Sequence, residues 1–320
     1  MAPVGTTPPP DPGAVADDYA ALRRSVGVVP VARDVVRVSG RDAVEYLQGQ
    51  CSQDIVALHI GMSADALLLT PQGKLDALVR VTRAGEDDLY VDVDAGYGAA
   101  VIARLARFKL RVQADIEPVE WRIVALRGPE TSAALSSSPA PGTSFVVPYA
   151  WGGVTGVDLL GAGPEIPAHV RRCGREAWQA LRVEAGIPAM GSELDERTIA
   201  AEVGLLERCV SFTKGCYTGQ ELVARLDARG NKVARRLRGL VVHDGHGAGS
   251  TLRPGAAVSV ADRVVGRLTS VAWSPALGSA VALCYLHRDV EPPSDVEVEL
   301  DVDGAIEKVA ARAFALPLDV

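Results

Sequence analysis

Apolar strands alternate with short helices through residues 35–127 and again over 143–235, and β-rich runs recur from Leu237 onward. These observations predict an α+β chain of two or three domains whose C-terminal part is a small antiparallel β-barrel. With 320 residues, 48% of them hydrophobic, the chain can bury a substantial core.

The elements follow in order. The opening MAPVGTTPPPDPGAVADD, residues 1–18, is Pro-rich and polar and reads as a disordered leader. A first α+β domain is expected over 19–128, where LLLT, ALVRVTR and LYVDVDA have strand patterning while AVEYLQ and GAAVIARLARF are helical. The loop SSSPAPG, residues 136–142, punctuates the chain. A second α+β domain is expected over 143–235, with a strand at FVVPYAW and a helix over 175–185. That helix ends where Gly186 can take a left-handed cap and Pro188 prevents continuation. On it Trp178, Leu181, Arg182 and Ala185 share one side, and Glu184 falls in the last turn, where the negative end of the dipole disfavours a carboxylate. The domain expected over 236–320 carries LRGLVVH, AAVSVA, VVGRLTSVAW, SAVALCYL, VEVELDV and KVAARAFAL between Gly, Pro and Asp turns, which is barrel patterning.

Composition narrows the functional classes. A net charge of −7 argues against a broad nucleic-acid surface. No uninterrupted apolar run approaches a membrane span and the N-terminus lacks a secretory signal, so the expectation is a cytoplasmic protein without a membrane partner. Five cysteines, at 51, 173, 209, 216 and 284, are odd in number and include no CxxC, which argues against a disulfide framework. A held iron–sulfur cluster or structural zinc needs about four clustered ligands, and no metal site is expected. His243 and His246 lie in the Gly-rich HDGHGAG, which reads as a solvated loop.

The most informative segment is SFTKGCYTGQE, residues 211–221. Thr218 and Glu221 have capping-box spacing, so a helix should begin near Thr218. Cys216 would sit just ahead of it, where the helix dipole and Lys214 both favour the thiolate. Taken alone, the pattern admits two readings, a nucleophilic thiol and an inert packed one. Downstream, Arg225, Arg229, Lys232, Arg235, Arg236 and Arg238 face the single acid Asp227, as a solvated face or as groups that steer an anion.

KGCYTGQE followed by LVARLDARG closely resembles the signature of the YgfZ-type folate-binding proteins, relatives of the glycine-cleavage aminomethyltransferase (T-protein) associated with iron–sulfur protein maturation. SGRDAVEYLQGQCSQDI, LLLTPQGKLDALVRV and AWQALRVEAGIPAMGSELDERTIAAE are similar to further blocks in the family's order, and VVGRLTSVAWSPALGSAVAL is similar to the T-protein barrel. The resemblance implies a T-protein-like multi-domain folate-binding fold that binds tetrahydrofolate or a derivative, with iron–sulfur proteins or their assembly factors as partners. It assigns folate contacts to Trp178, to Glu184 against the pterin and to Asp76 near the reactive nitrogen. Cys216, tuned by Lys214, would face the folate, with Tyr217, Gln220 and Glu221 positioning the loop and Arg225 joining the cofactor-binding set. Where T-proteins have a second aspartate, this chain has Ala77, and T-proteins lack the thiol string. An aminomethyltransferase and a non-catalytic folate-sensing adaptor remain the alternatives.

Overall fold

The computed structural model describes residues 12–136, 144–243, 252–302 and 305–319. It begins with helix α1 (Pro12–Arg24) and a short strand, β1 (Gly27–Val29). Next come β2 (Arg33–Ser39), α2 (Ala43–Gln50), β3 (Ser63–Leu69), β4 (Leu75–Arg83), β5 (Asp88–Asp94), α3 (Gly98–Arg107) and β6 (Asp115–Val119). The middle of the chain forms β7 (Arg122–Arg127), α4 (Thr131–Ser136), β8 (Phe145–Trp151), β9 (Val154–Gly161), β10 (Arg171–Arg172), α5 (Arg175–Glu184), α6 (Leu206–Cys209) and α7 (Gln220–Ala228). The last six strands are β11 (Arg235–Val242), β12 (Ala257–Val260), β13 (Arg263–Ser274), β14 (Ser279–His287), β15 (Ser294–Val302) and β16 (Ala305–Phe314).

The first sheet has the order β3-β4-β5-β2-β6, and its core face carries Val36, Val38, Ala77, Val79, Val81 and Val91 beneath α2 and α3. The second sheet has the order β10-β1-β7-β9-β8. Its central strand, β7, pairs antiparallel with β9 and also with β1, far earlier in the chain. The boundary expected near 128 is therefore crossed, because β1 and β7 complete a sheet whose other strands lie in the expected second domain. Hydrophobic patterning identifies such strands but not their partners.

The six β-rich runs at the C-terminal end close into one barrel, as their patterning predicts, in the order β11-β14-β13-β12-β15-β16. Closure leaves no unpaired sheet edge. Leu240, Leu268, Ala282, Leu286, Val298 and Ala311 fill it. Val183 of α5 packs on its outside with Leu237, Val281, Leu283, Tyr285 and Leu318.

Helix α1 corrects the leader expectation over residues 12–18, while residues 1–11 lie outside the described residues, as do most of the SSSPAPG loop and His246. Tyr19 and Leu22 are buried against Ala177 and Leu181 of α5. The Asp18 carboxylate accepts from the Gly174 amide at 2.7 Å and from Arg171 Nε at 2.6 Å, tying the helix to the start of α5. Proline content gives no sign of these distant partners.

Candidate functional site

Between the two sheets and α5 lies a cavity of about 300 Å³. Trp151, Tyr149 and Trp178 form its aromatic walls, and Leu78, Val147 and Ile187 add apolar surface. Its polar wall is built from inward-facing charges on otherwise apolar strands. Arg80 of β4 donates from Nε to Asp92 at 2.9 Å and from Nη1 to Asp158 of β9 at 2.5 Å, so one guanidinium joins the two sheets. Arg127 of β7 reaches the other Asp158 oxygen at 2.7 Å and lies 3.5 Å from the Tyr149 ring centroid, a cation–π contact. Arg33 extends the chain of charges to Asp92 and, at 2.8 Å, to Asp94. Burial alone would raise the Asp158 carboxyl, but Arg127 and Arg80 outweigh it and hold the group at about 2. Arg80 Nη2 and Arg127 Nε are buried without an acceptor. Arg208 closes the rim, pairing with Asp65 at 2.5 Å and lying over Trp151.

Trp178 lines this cavity, and so does Arg182 of the same helix. Glu184 does not. Its side chain is fully buried against α1, where Oε2 accepts from Tyr19 Oη at 2.6 Å and from Arg23 Nη2 at 2.6 Å, while Oε1 has no partner. These partners account for a carboxylate in the last turn of a helix. Tyr19 is pushed up to about 12 by burial and then by Glu184.

Asp76 lies in a smaller recess of about 90 Å³ with Tyr97 and Arg104. Arg104 Nε donates to it at 2.8 Å, Nη1 donates to Gln50 Oε1 at 2.9 Å and Nη2 donates to the Leu69 carbonyl at 2.9 Å. Ala77 lines the same recess and belongs to the first core, with Leu68 and Val101.

The 211–221 segment docks on the first unit beside that cluster. The Thr218 amide donates to the Gly49 carbonyl at 3.1 Å and the Ser211 amide to the Ser52 carbonyl at 3.0 Å. Lys214 Nζ donates to the carbonyls of Gln48, Cys51 and Gln53 at 2.6, 2.7 and 2.8 Å. All three of its donors are thereby committed to backbone. This corrects the expectation that Lys214 serves the Cys216 thiol: the ammonium clamps the loop to the end of α2. Burial pushes Lys214 below the ordinary ammonium range, against the pull of Cys51 and Asp54.

The capping box is also corrected. Helix α7 starts at Gln220, and its N-cap is Gly219 in the left-handed region at φ +83°, with no side-chain cap. A Cβ at Gly219 would meet the Thr70 carbonyl at 2.5 Å, and one at Gly73 would meet Leu222 Cβ at 2.4 Å. Two glycines thus let the start of α7 sit directly on the 70–74 turn. Tyr217 is a core residue packed with Leu67, Leu69 and Val223, while Gln220 is half-buried and Glu221 and Arg225 are exposed on α7. None of Cys216, Tyr217, Gln220, Glu221 and Arg225 is among the residues lining the central cavity. Of the five cysteines only Cys216 is exposed. Burial pushes Cys51 up to about 12 and Cys173 up to about 11, and raises Cys209 and Cys284 further.

The structure therefore brings together Trp178, Arg80, Arg127, Tyr149 and Asp158 in one cavity, and Asp76, Arg104 and the Cys216 loop along a neighbouring seam. Arg80, Arg127 and Asp158 escape a reading of the sequence. Their one signal is a charge at a core-phase position in ALVRVTR, RIVALR and VTGVDLLG. Among the described residues, no group of three or more His, Cys, Asp or Glu side chains could hold a metal ion, and no helix is long and apolar enough to cross a membrane.

This fold, with its cavity between two sheets and a barrel behind it, is T-protein-like. The GCVT N-terminal domain model matches residues 10–144, and the glycine cleavage T-protein C-terminal barrel domain model matches 235–319. The chain thus matches both domains, one on either side of residues 211–221. An aminomethyltransferase of Thermus thermophilus is 27% identical over 317 residues, covering 89% of this chain and 86% of that one. An uncharacterized protein of Haemophilus influenzae is 25% identical over 198 residues, covering 61% of this chain and 66% of that one. The solved structure of the glycine cleavage system aminomethyltransferase T from Bartonella henselae superposes with a TM-score of 0.79 at 22% identity, over 96% of this chain and 90% of that one.

Proposed function

We propose that this chain is a tetrahydrofolate-binding protein acting in the assembly or repair of iron–sulfur proteins, with Cys216 as its working thiol. The observation that carries the reading is the exposure of Cys216 alone among five cysteines, on a loop clamped beside Asp76 by Lys214 and two glycines. An exposed thiol on a fixed backbone is available for chemistry with a partner, whereas the four buried ones are not.

The cavity residues fit a reduced folate. Its aromatic walls suit a flat heterocycle, and the two guanidinium N–H groups without acceptors suit the carbonyl and ring nitrogens of a pterin. Trp178 and Tyr149 would hold the ring, Arg80 and Arg127 would orient it, and Asp76, held by Arg104, would face the far end of the ligand. A bound reduced folate supplies one-carbon chemistry. The chain's own residues exclude water, fix orientation and present the thiol at the seam. Glu184, engaged by Tyr19 and Arg23, acts in holding α1 rather than in holding the ligand.

The aminomethyltransferase relatives favour a second reading, glycine cleavage, which Ala77 and the thiol loop count against. Deletion of the gene separates the two readings. Several cluster-dependent enzymes should lose activity while glycine oxidation persists, and Cys216→Ser should fold but fail to restore them. Full rescue by Cys216→Ser, or loss of glycine oxidation alone, would falsify the reading.

A further inference from the structure

The open end of the C-terminal barrel is a second candidate site, remote from the folate cavity in its lining. Arg236 and Arg238 lie on the same face of β11 as Leu240 and Val242, which belong to the barrel core. By strand alternation both arginines therefore sit at the mouth of the barrel, and they line a cleft of about 900 Å³ floored by Leu286 and Val290, themselves barrel-core residues. This is the end at which β11 and β15 begin and β14 and β16 finish.

The cleft carries Lys232, Arg236, Arg238 and Arg288 against Asp289 and Glu291. Asp289 is already shared with Arg263 at 3.5 Å, His287 at 3.2 Å and Arg288 at 4.0 Å. Arg236 donates to the Asn231 carbonyl at 2.6 Å, and among the described residues the Arg238 guanidinium makes one long contact, of 3.4 Å, with the Leu237 carbonyl. Neither arginine has a carboxylate partner among the described residues. Burial and the neighbouring Arg236 push Arg238 below the ordinary guanidinium value, against the weaker pull of Cys284 and Glu291. Two like charges held side by side, one of them half-buried and without an ion pair among the described residues, destabilise the free protein and are relieved by an anion. In a chain of net charge −7 the general field does not gather anions, so the positive mouth is a local feature.

We propose that the barrel mouth binds a small polyanion carrying two or more phosphate or carboxylate groups, with Arg236 and Arg238 as the residues that pair with its charge. The ligand's uncharged part would lie on Leu286 and Val290. This proposal is independent of the folate reading.

The test is calorimetric titration of the full-length protein with pyrophosphate and, separately, with citrate, at low and high salt. At least one probe should saturate a single site, weaken as salt rises, and lose about tenfold or more in affinity in each of Arg236→Gln and Arg238→Gln. Pyrophosphate as the tighter probe assigns a phosphate ligand and citrate a carboxylate one. Thermal unfolding checks the variants; if Arg238→Gln does not fold, Arg236→Gln and Arg288→Gln carry the test. Tetrahydrofolate affinity should be the same in Arg236→Gln as in the parent. The proposal is overturned if neither probe saturates at low salt, if the folded variants retain the parent affinity, or if saturating tetrahydrofolate displaces the probe.

Discussion

Two side chains, Cys216 and Glu184, carry the sharpest differences between what sequence implies and what the structure contains. Exposure, rather than a neighbouring ammonium, distinguishes Cys216, so alkylation followed by peptide mapping should label it first, with the other four thiols reacting only on unfolding. Lys214→Met should leave that first-labelled position unchanged while destabilising the protein by about 1.5–3 kcal/mol, because three carbonyls lose a charged donor. Chemical denaturation reads the second effect. Glu184→Gln should likewise lower stability by about 1.5–3 kcal/mol through the lost Arg23 pairing, yet leave tetrahydrofolate affinity within experimental error. A large drop in affinity at unchanged stability would return Glu184 to the ligand site.

The elements are held in register by contacts that only the assembled chain contains. Arg127 grips Asp158 within the second sheet and Arg80 grips it from the first, and a carboxyl depressed to about 2 stabilises the fold at pH values above its unfolded pKa of about 4. That contribution is lost as pH falls from about 4 towards about 2, so acid unfolding monitored by circular dichroism should fall mainly in that window. Asp158→Asn should remove that part of the acid-side dependence and cost about 3–5 kcal/mol at neutral pH, by leaving buried Arg127 without a carboxylate and Arg80 with Asp92 alone. At the docked loop, Gly219→Ala should cost about 1–3 kcal/mol and speed proteolysis within 211–219, since φ +83° and the Thr70 carbonyl both oppose a Cβ. Gly215→Ala, with open space around it, serves as the matched control and should change neither. Six barrel strands, α2, α3 and α5 were legible because each buries one face with a clean period. The start of α7 was not, since the S/T-x-x-E spacing of Thr218 and Glu221 is visible in sequence while the Thr70 carbonyl that dictates a left-handed Gly219 is a tertiary neighbour. Of the candidate site, the sequence points to Trp178 and Cys216 but gives no role to Arg80, Arg127 and Asp158, whose meaning depends on which strands face each other.

At the scale of the molecule, the barrel is joined to α5 by more than a linker. Val183 sits among barrel residues, Arg182 reaches Ser270 Oγ at 2.5 Å, and Tyr285 Oη donates to the Glu193 carbonyl at 2.7 Å. Differential scanning calorimetry should therefore give one cooperative transition for the whole chain, with tryptophan fluorescence following the same curve. Two resolved transitions would mean that the barrel unfolds independently and that these contacts couple little.

The position of β1 has a consequence for synthesis. Gly27–Val29 lies between β7 and β10, so its partners are made only after the whole first sheet has left the ribosome. At about 5–20 residues per second that delay is on the order of ten seconds. Through it, the hydrophobic pair Val28 and Val29 waits with its backbone unpaired, open to capture by another nascent chain or by a chaperone. β1 thus waits for partners that are made only after the first sheet, and it joins the second sheet long after it has been translated.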